Sequence, residues 1–350
     1  MAEQIQVAPS MTTSLMARVK KNPPAWIVAG ISVVLVILIT SYGGPSQIIN
    51  TVVTGGMWAL LAVGLALILG VMNIPHFAHG ESFMVGTFVG YFVFTFFNNY
   101  LKKNPNEILE MLAPFVGFLV AALVGLIMGA VIERLVFAPL RHRTRSGWVM
   151  NTFLLTVGLS FIMTNGATLT LGPNFRGIPR YWDVAPLEIL GARVAVDRLV
   201  TFGLAIITLT IFWFFLQRTR LGRAIRAVSQ DETGAQIVGI NLNFIHTLTF
   251  SLATAMAAMA GASLLFLFQA YPTVGLKPLY FAWYVVMLVG LGNVAGAIIG
   301  GFLVALFQTA TQQFIGIAWE DVVPTFVMIL VLLLAPSGIF GSEVRGIQEQ

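Results

Sequence analysis

Trp58-Ala59-Leu60-Leu61-Ala62-Val63-Gly64-Leu65-Ala66-Leu67-Ile68-Leu69-Gly70-Val71-Met72 is an unbroken apolar run, followed at once by the polar kernel Asn73-Ile74-Pro75-His76-Phe77-Ala78-His79-Gly80-Glu81. The run lacks the apolar/polar alternation over about ten residues that marks a strand of a membrane barrel. Similar runs occur at 26–40, 113–132, 199–216 and 322–335. Across the 350 residues 57% are hydrophobic and 9% charged, and the mean hydropathy is +0.88. A soluble domain carries about one quarter charged residues. So much apolar surface with so few charges needs an apolar solvent, and the fold class that follows is an all-α integral membrane protein.

About 20 apolar residues cross a bilayer core. Segmentation gives about ten transmembrane helices, at 25–42, 50–72, 82–97, 113–132, 149–171, 199–216, 245–268, 280–292, 296–316 and 322–335. The eighth and tenth are short and read as broken, tilted or partly re-entrant. The domain division is a tail at 1–24, one transmembrane domain at 25–335 and a tail at 336–350. A signal-peptide outline also fits the start, with Arg18, Lys20 and Lys21 before an apolar stretch. Ser41-Tyr42-Gly43-Gly44-Pro45 offers no A-x-A-like cleavage site, so the reading is an uncleaved first helix.

Charge placement tests the count. With both termini cytoplasmic, the inner stretches hold twelve Lys/Arg, among them Arg134, Arg141, Arg143, Arg145, Arg218 and Arg345, against seven outside. Four of the outer seven lie in the long loop 172–198, where the positive-inside rule weighs less. That loop, with Pro173, Pro179, Pro186, Tyr181 and Trp182, reads equally as a folded cap or as a connector. The net charge of +5 comes without the aromatic-and-basic stripe of a nucleic-acid surface, so no nucleic-acid partner is expected. With no cysteine, disulfides and thiolate metal sites are excluded. No G-x-x-x-x-G-K-[ST] occurs, so no P-loop ATP site is expected in this chain.

Two constellations carry chemistry. The first is His76, His79 and Glu81 between two apolar runs. Ionisable groups at membrane depth are costly and face a cavity or a partner. His-x-x-His lacks the i, i+4 spacing of a zinc-binding helix, and His142 and His246 lie elsewhere, so no metal site is expected. The kernel is either a helix break lining a solute path or an interfacial turn. A weak echo, Gly292-Asn293 within Val289–Gly301, raises a possible internal repeat. Close glycine packing is the simpler reading.

The second constellation is Arg218 to Ala235. Arg220, Arg223 and Arg226 recur every third residue along one side of a short helix. Ser229 or Asp231 can cap a second helix, Glu232 favours its dipole, and Gly239 stops it. Such a helix-turn-helix within 217–244 reads as a docking element, or as a plain positive-inside anchor.

At these residues the sequence resembles the branched-chain amino-acid ABC permease family. His76-Phe77-Ala78-His79-Gly80-Glu81 is similar to its N-F-A-H-G-E signature, with His76 standing in place of asparagine. Ile132-Glu133-Arg134 with Pro139-Leu140-Arg141, then Gly222-Arg223-Ala224 with Arg226, Asp231 and Gly239-Ile240-Asn241, follow in family order. Gly290-Leu291-Gly292-Asn293 and Pro336-Ser337-Gly338-Ile339-Phe340-Gly341 complete the series. Trp283-Tyr284 replace small residues of the family pattern and narrow any path there.

The resemblance implies the inner-membrane permease subunit of an ABC importer for a small polar solute. The implied partners are a homologous second permease, two cytoplasmic ATPases that hold ATP and Mg, and a periplasmic binding protein. The solute is a branched-chain or neutral amino acid, with urea, an amide or a small aromatic acid also open. It also implies that Gly222, Arg223, Arg226, Asp231, Glu232 and Gly239 belong to the ATPase-coupling loop. Candidates for the substrate path are His76, His79, Glu81, Trp283, Tyr284 and Asn293. Two further readings are a secondary transporter or channel using Glu81 with His79 as a proton-linked pair, and an intramembrane metalloenzyme using His76, His79 and Glu81.

Overall fold

The computed structural model describes residues 23–143, 147–178, 185–189 and 191–340. Expectations for Arg18, Lys20, Lys21, Arg145, Pro179, Arg180, Tyr181, Trp182, Gly341, Arg345 and the side chain of His142 lie outside the described residues.

Each long apolar run becomes a helix. The helices α1 (Pro23–Gly43), α2 (Pro45–Met72), α3 (His79–Lys103) and α4 (Glu107–Ile132) come first. A π turn at Glu133–Phe137 and one α turn at Ala138–Arg143 prolong α4. After α5 (Trp148–Leu171), a small antiparallel pair, β1 (Leu187–Ile189) and β2 (Ala192–Val194), precedes α6 (Val196–Arg218). Two short helices follow, α7 (Arg220–Gln230) and α8 (Glu232–Ile237). The chain ends with α9 (Leu242–Leu264), α10 (Leu276–Val289), α11 (Val294–Phe314), a 3₁₀ turn at Ile317–Trp319 and α12 (Val322–Leu334).

The ten expected spans correspond to ten apolar helices. Among the described residues nine are long and apolar enough to cross a membrane, the last with the help of its 3₁₀ turn, and α10 is shorter. The fold is therefore an all-α membrane protein.

Alanine and glycine set the packing. Helix α9 carries Ala253, Ala255, Ala257, Ala258, Ala260 and Ala262, all buried, and is enclosed by α2, α3 and α4. Lipid tails are as apolar as leucine, so helices in a membrane gain from close backbone approach between small residues. A Cβ on Gly64 of α2 would stand 2.8 Å from the Ala253 carbonyl oxygen, and one on Gly125 of α4 2.8 Å from that of Thr254. Thr254 Oγ1 in turn donates to the Gly125 carbonyl at 2.9 Å. By contrast α1, α5 and α12 keep most of their apolar surface open, as a lipid or subunit boundary requires.

The break after Met72 has a local cause. Asn73 ends α2 in the left-handed region, φ +50°, and Pro75 cannot supply the N–H that a continuing helix needs. The chain then folds back into the bundle. His79, the first residue of α3, holds its Nε2 3.1 Å from the carbonyl oxygen of Leu61. Leu61 lies eleven residues before the end of α2 (72 − 61). At 1.5 Å per residue, α3 therefore begins about 16 Å inside that end, near the middle of a ~30 Å core. Helix α10 begins at the same depth, because Gly275 packs backbone to backbone on Gly80.

The two glycine-rich interruptions touch. A Cβ on Gly70 would sit 2.9 Å from Gly292 Cα, which gives those glycines the close-packing role. Gly338, at φ +81°, then lets the C-terminal turn lie on the end of α10, where Ile339 and Phe340 donate to the Leu288 and Val289 carbonyls at 2.8 and 3.1 Å. At the opposite end, the described part of 172–198 is folded. It contains the β1–β2 pair, and Arg176 exchanges both backbone hydrogen bonds with Ala270, at 2.8 and 2.7 Å.

Candidate functional site

The polar kernel is held by α5. Trp148, Thr152, Thr156, Ser160, Thr164 and Thr168 recur every four residues and so lie in one stripe. Four of them reach the break or the start of α3. Trp148 Nε1 donates to the Met72 carbonyl at 3.2 Å. Thr156 Oγ1 donates to the Pro75 carbonyl at 3.0 Å and accepts from the Phe77 N–H at 3.3 Å. Ser160 and Thr164 both donate to Glu81 Oε1, at 2.5 and 3.2 Å. These bonds carry the attachment of a helix that otherwise buries little of itself in the chain.

His76, His79 and Glu81 are all buried, at 1%, 0% and 3% exposure. Their side chains nevertheless diverge. The His76 ring meets those of Phe137 and Phe250 edge-on, with centroids 6.1 and 4.9 Å away. His79 turns to α2, and Glu81 turns to α5. The two histidine rings lie 5.7 Å apart, but Glu81 does not join them. A proton-linked His79–Glu81 pair therefore has no contact to work through. Among the described residues no three His, Cys, Asp or Glu side chains come together in a metal-binding group.

Of the two aromatic candidates, Trp283 borders the break, and Tyr284 packs away from it on α10 and α2 neighbours. Trp283 stacks on Phe77 with centroids 5.1 Å apart and planes at 28°, and its buried indole Nε1 has no hydrogen-bond partner. Tyr284 meets Phe281 edge-on at 5.6 Å, and Phe281 lies flat on Trp58 at 4.8 Å. Asn293 is occupied elsewhere. Its Oδ1 caps α11 through the Gly296 N–H at 2.8 Å, and its Nδ2 donates to the Phe340 carbonyl at 3.0 Å.

The 217–244 segment forms the expected helix-turn-helix. Thr219 caps α7 by accepting from the Gly222 N–H at 3.0 Å, and Asp231 caps α8 by accepting from Gly234 at 3.0 Å. Of the two capping candidates Asp231 takes the position; Ser229 donates back to the Arg226 carbonyl instead. Gly239, at φ +86°, closes α8, with the Ile240 N–H reaching the Ala235 carbonyl at 3.0 Å. Gly222 fits where any Cβ would strike the last carbonyls of α6. Arg226 does not face outward. It donates to the Leu216 carbonyl and to Gln217 Oε1, completing the end of α6 as a cation at a helix C-terminus does. Arg223, Asp231 and Glu232 remain exposed, and beside them Ile237 and Val238 are 80% and 75% exposed.

Two networks escaped sequence reasoning. Glu133, 1% exposed, accepts from Arg141 at 2.9 Å and from Thr247 Oγ1 at 2.6 Å. The Arg141 guanidinium also lies 5.7 Å from the Trp148 ring. The π turn that starts at Glu133 makes this possible, since its extra residue turns Glu133 toward α9 while keeping Phe137 buried. Toward the opposite end, Glu320 accepts from Lys277, Gln312 and Gln308, and Gln308 Oε1 accepts from Trp58 Nε1 at 2.9 Å. Neither network is complete within one helix, since Thr247 lies on α9 and Trp58 and Lys277 on α2 and α10, so no local spacing reveals it.

Comparison with known proteins places this geometry. Residues 47–332 match the family model of the branched-chain amino acid transport system permease component. The chain is 32% identical over 304 residues to the high-affinity branched-chain amino acid transport system permease protein LivH of Salmonella typhimurium, covering 84% of this chain and 94% of the relative. It is 29% identical over 300 residues to the corresponding protein BraD of Pseudomonas aeruginosa, covering 84% and 95%. It is 26% identical over 192 residues to the ribose import permease protein RbsC of Haemophilus influenzae, covering 53% and 57%. No solved structure matches the chain. The match includes both the break and the helix-turn-helix and leaves out only the ends, α1 among them, and so this chain belongs to the branched-chain amino acid transport permease family.

Proposed function

We propose that this chain is the permease subunit of an ABC importer that carries a branched-chain or other neutral amino acid inward across a bacterial inner membrane. The observation that carries this reading is the exposed, doubly capped α7–α8 element on a chain with few charges. Two caps and a glycine stop maintain it against water, and its outer surface combines Asp231 and Glu232 with Ile237 and Val238. Two exposed aliphatic side chains beside carboxylates suit a protein groove better than lipid headgroups. The groove would belong to a separate ATPase subunit, which supplies the ATP and Mg. A second, homologous permease and a periplasmic binding protein complete the assembly, with both termini of this chain cytoplasmic.

The path would pass the break. Helices α3 and α10 both start near mid-depth without a side-chain cap, so their first-turn N–H groups and positive dipole ends meet the path. Phe77 and Trp283, stacked on one another, border it and restrict its width.

The test is ATPase activity in the complete complex. Ile237→Asp with Val238→Asp removes the apolar tip while leaving the Thr219 and Asp231 side-chain caps and every buried group in place; Val238 caps α8 through its backbone N–H alone. Stimulation of ATP hydrolysis by the loaded binding protein should fall about tenfold or more, the scale of a lost interface anchor. Full stimulation in the double variant contradicts the assignment.

A further inference from the structure

Helix α8 approaches the start of α9 through one polar pair. Glu232, the first residue of α8, holds its Oε1 3.7 Å from Nε2 of His246. The two side chains differ in kind, since Glu232 is 50% exposed and His246 only 3%. Both ring nitrogens of His246 are closed off from solvent and lack a hydrogen-bond partner. A buried polar atom without a partner is costly. A hydrogen bond between nitrogen and oxygen spans about 2.7–3.2 Å, so this pair stands about half an ångström too far apart. The structure thus places a carboxylate against an unmet donor, one short displacement from meeting it.

Beyond His246 the links are already made. Thr247, the next residue, donates to Glu133 Oε2 at 2.6 Å, and Glu133 Oε1 accepts from Arg141 at 2.9 Å. The Arg141 guanidinium lies 5.7 Å from the Trp148 ring, and Trp148 Nε1 donates to the Met72 carbonyl at the break, at 3.2 Å. Coupling between distant sites is carried by chains of packed and hydrogen-bonded side chains of this kind. Here the chain runs from α8 to the break with a single open link, and that link lies at α8.

We infer that Glu232 and His246 are the positioning pair through which α8 acts on the bundle. When the ATPase presses α8 toward α9, Glu232 Oε1 accepts from the His246 Nε2–H. The start of α9 then moves with α8 and carries Thr247 and the Glu133–Arg141 pair toward the break. This rests on the importer reading and gives Glu232 an inward role besides its place on the outer surface. His246, which touches neither solute nor ATPase, acts through its neighbours.

The test is leucine taken up per ATP hydrolysed by the complete complex, with its binding protein, in proteoliposomes. A merely structural role would move the melting temperature and leave that ratio alone. His246→Leu should lower the ratio about tenfold, the scale of a hydrogen bond to a charged group. His246→Gln restores a donor and should recover most of it. The double variant Glu232→Ala with His246→Leu should be no worse than the worse single one, because both remove the same contact. Should His246→Leu fail to assemble, the exposed position carries the test: Glu232→Ala should lower the ratio, and Glu232→Gln, which keeps Oε1, should retain it. A wild-type ratio in His246→Leu or in Glu232→Ala overturns the pairing. So do losses that multiply in the double variant, as they would if Glu232 met only the ATPase. A wild-type complex without ATP-dependent uptake contradicts the importer reading itself, and the pair falls with it.

Discussion

Two residues of the same type show how position decides effect. Gly86 of α3 sits where a Cβ would be driven into the backbone of Ala258, whereas a Cβ on Gly158 of α5 would meet nothing within 4 Å. Gly86→Ala should therefore destabilise the protein by about 1–3 kcal/mol as overpacking. Gly158→Ala should be neutral, or stabilise by up to about 1 kcal/mol through helix propensity. Thermal unfolding of both variants in detergent checks the pair, and equal melting temperatures would refute the packing account. The sequence marks both glycines alike, because only the neighbouring helix tells them apart. The same holds for His79 and Glu81. Their two-residue spacing on a helix already turns them to different faces, but nothing local names Leu61 and Ser160 as their partners.

At the scale of elements, the α7–α8 turn was legible almost completely. Caps and stops are local chemistry, and Asp231 and Gly239 act within four residues of the groups they satisfy. Asp231 is both a cap and an exposed charge, and two substitutions separate the roles. Asn caps as well as Asp does, while Ala forfeits about 1 kcal/mol. If capping is what Asp231 supplies, Asp231→Asn should keep binding-protein-stimulated ATPase activity and Asp231→Ala should lose part of it. Equal losses in both would assign the role to the charge. Helix α5 was harder to read. Its polar residues recur every four positions, yet threonine and serine in apolar helices commonly bond their own preceding turn, as Thr152 does with the Trp148 carbonyl at 2.8 Å. The stripe's attachment to the break became visible only once both were placed.

Across the whole molecule, the apolar runs fixed the number of helices because bilayer thickness sets their length. They could not show that α3 and α10 begin inside the bundle. That depends on His79 finding Leu61 and on Gly80 finding Gly275, contacts between segments far apart in the chain. Nor could they join α4, α9 and α5 through Glu133, Thr247, Arg141 and Trp148. That network lies between the α7–α8 element and the break. Removing one member of a buried ion pair costs about 3–5 kcal/mol, and less here because Arg141 keeps some contact with water. Arg141→Ala should accordingly lower the melting temperature, and Glu133→Gln, which leaves the guanidinium a neutral acceptor, should lower it less. The reverse order would remove the network from the account.

The central claim is that a separate ATPase drives solute through this chain. The direct measurement is uptake of labelled leucine into proteoliposomes holding the full complex, with ATP and the proton gradient varied independently. The account predicts uptake that requires ATP and binding protein and persists when the proton gradient is collapsed. Uptake that follows the proton gradient and continues without ATP would contradict it.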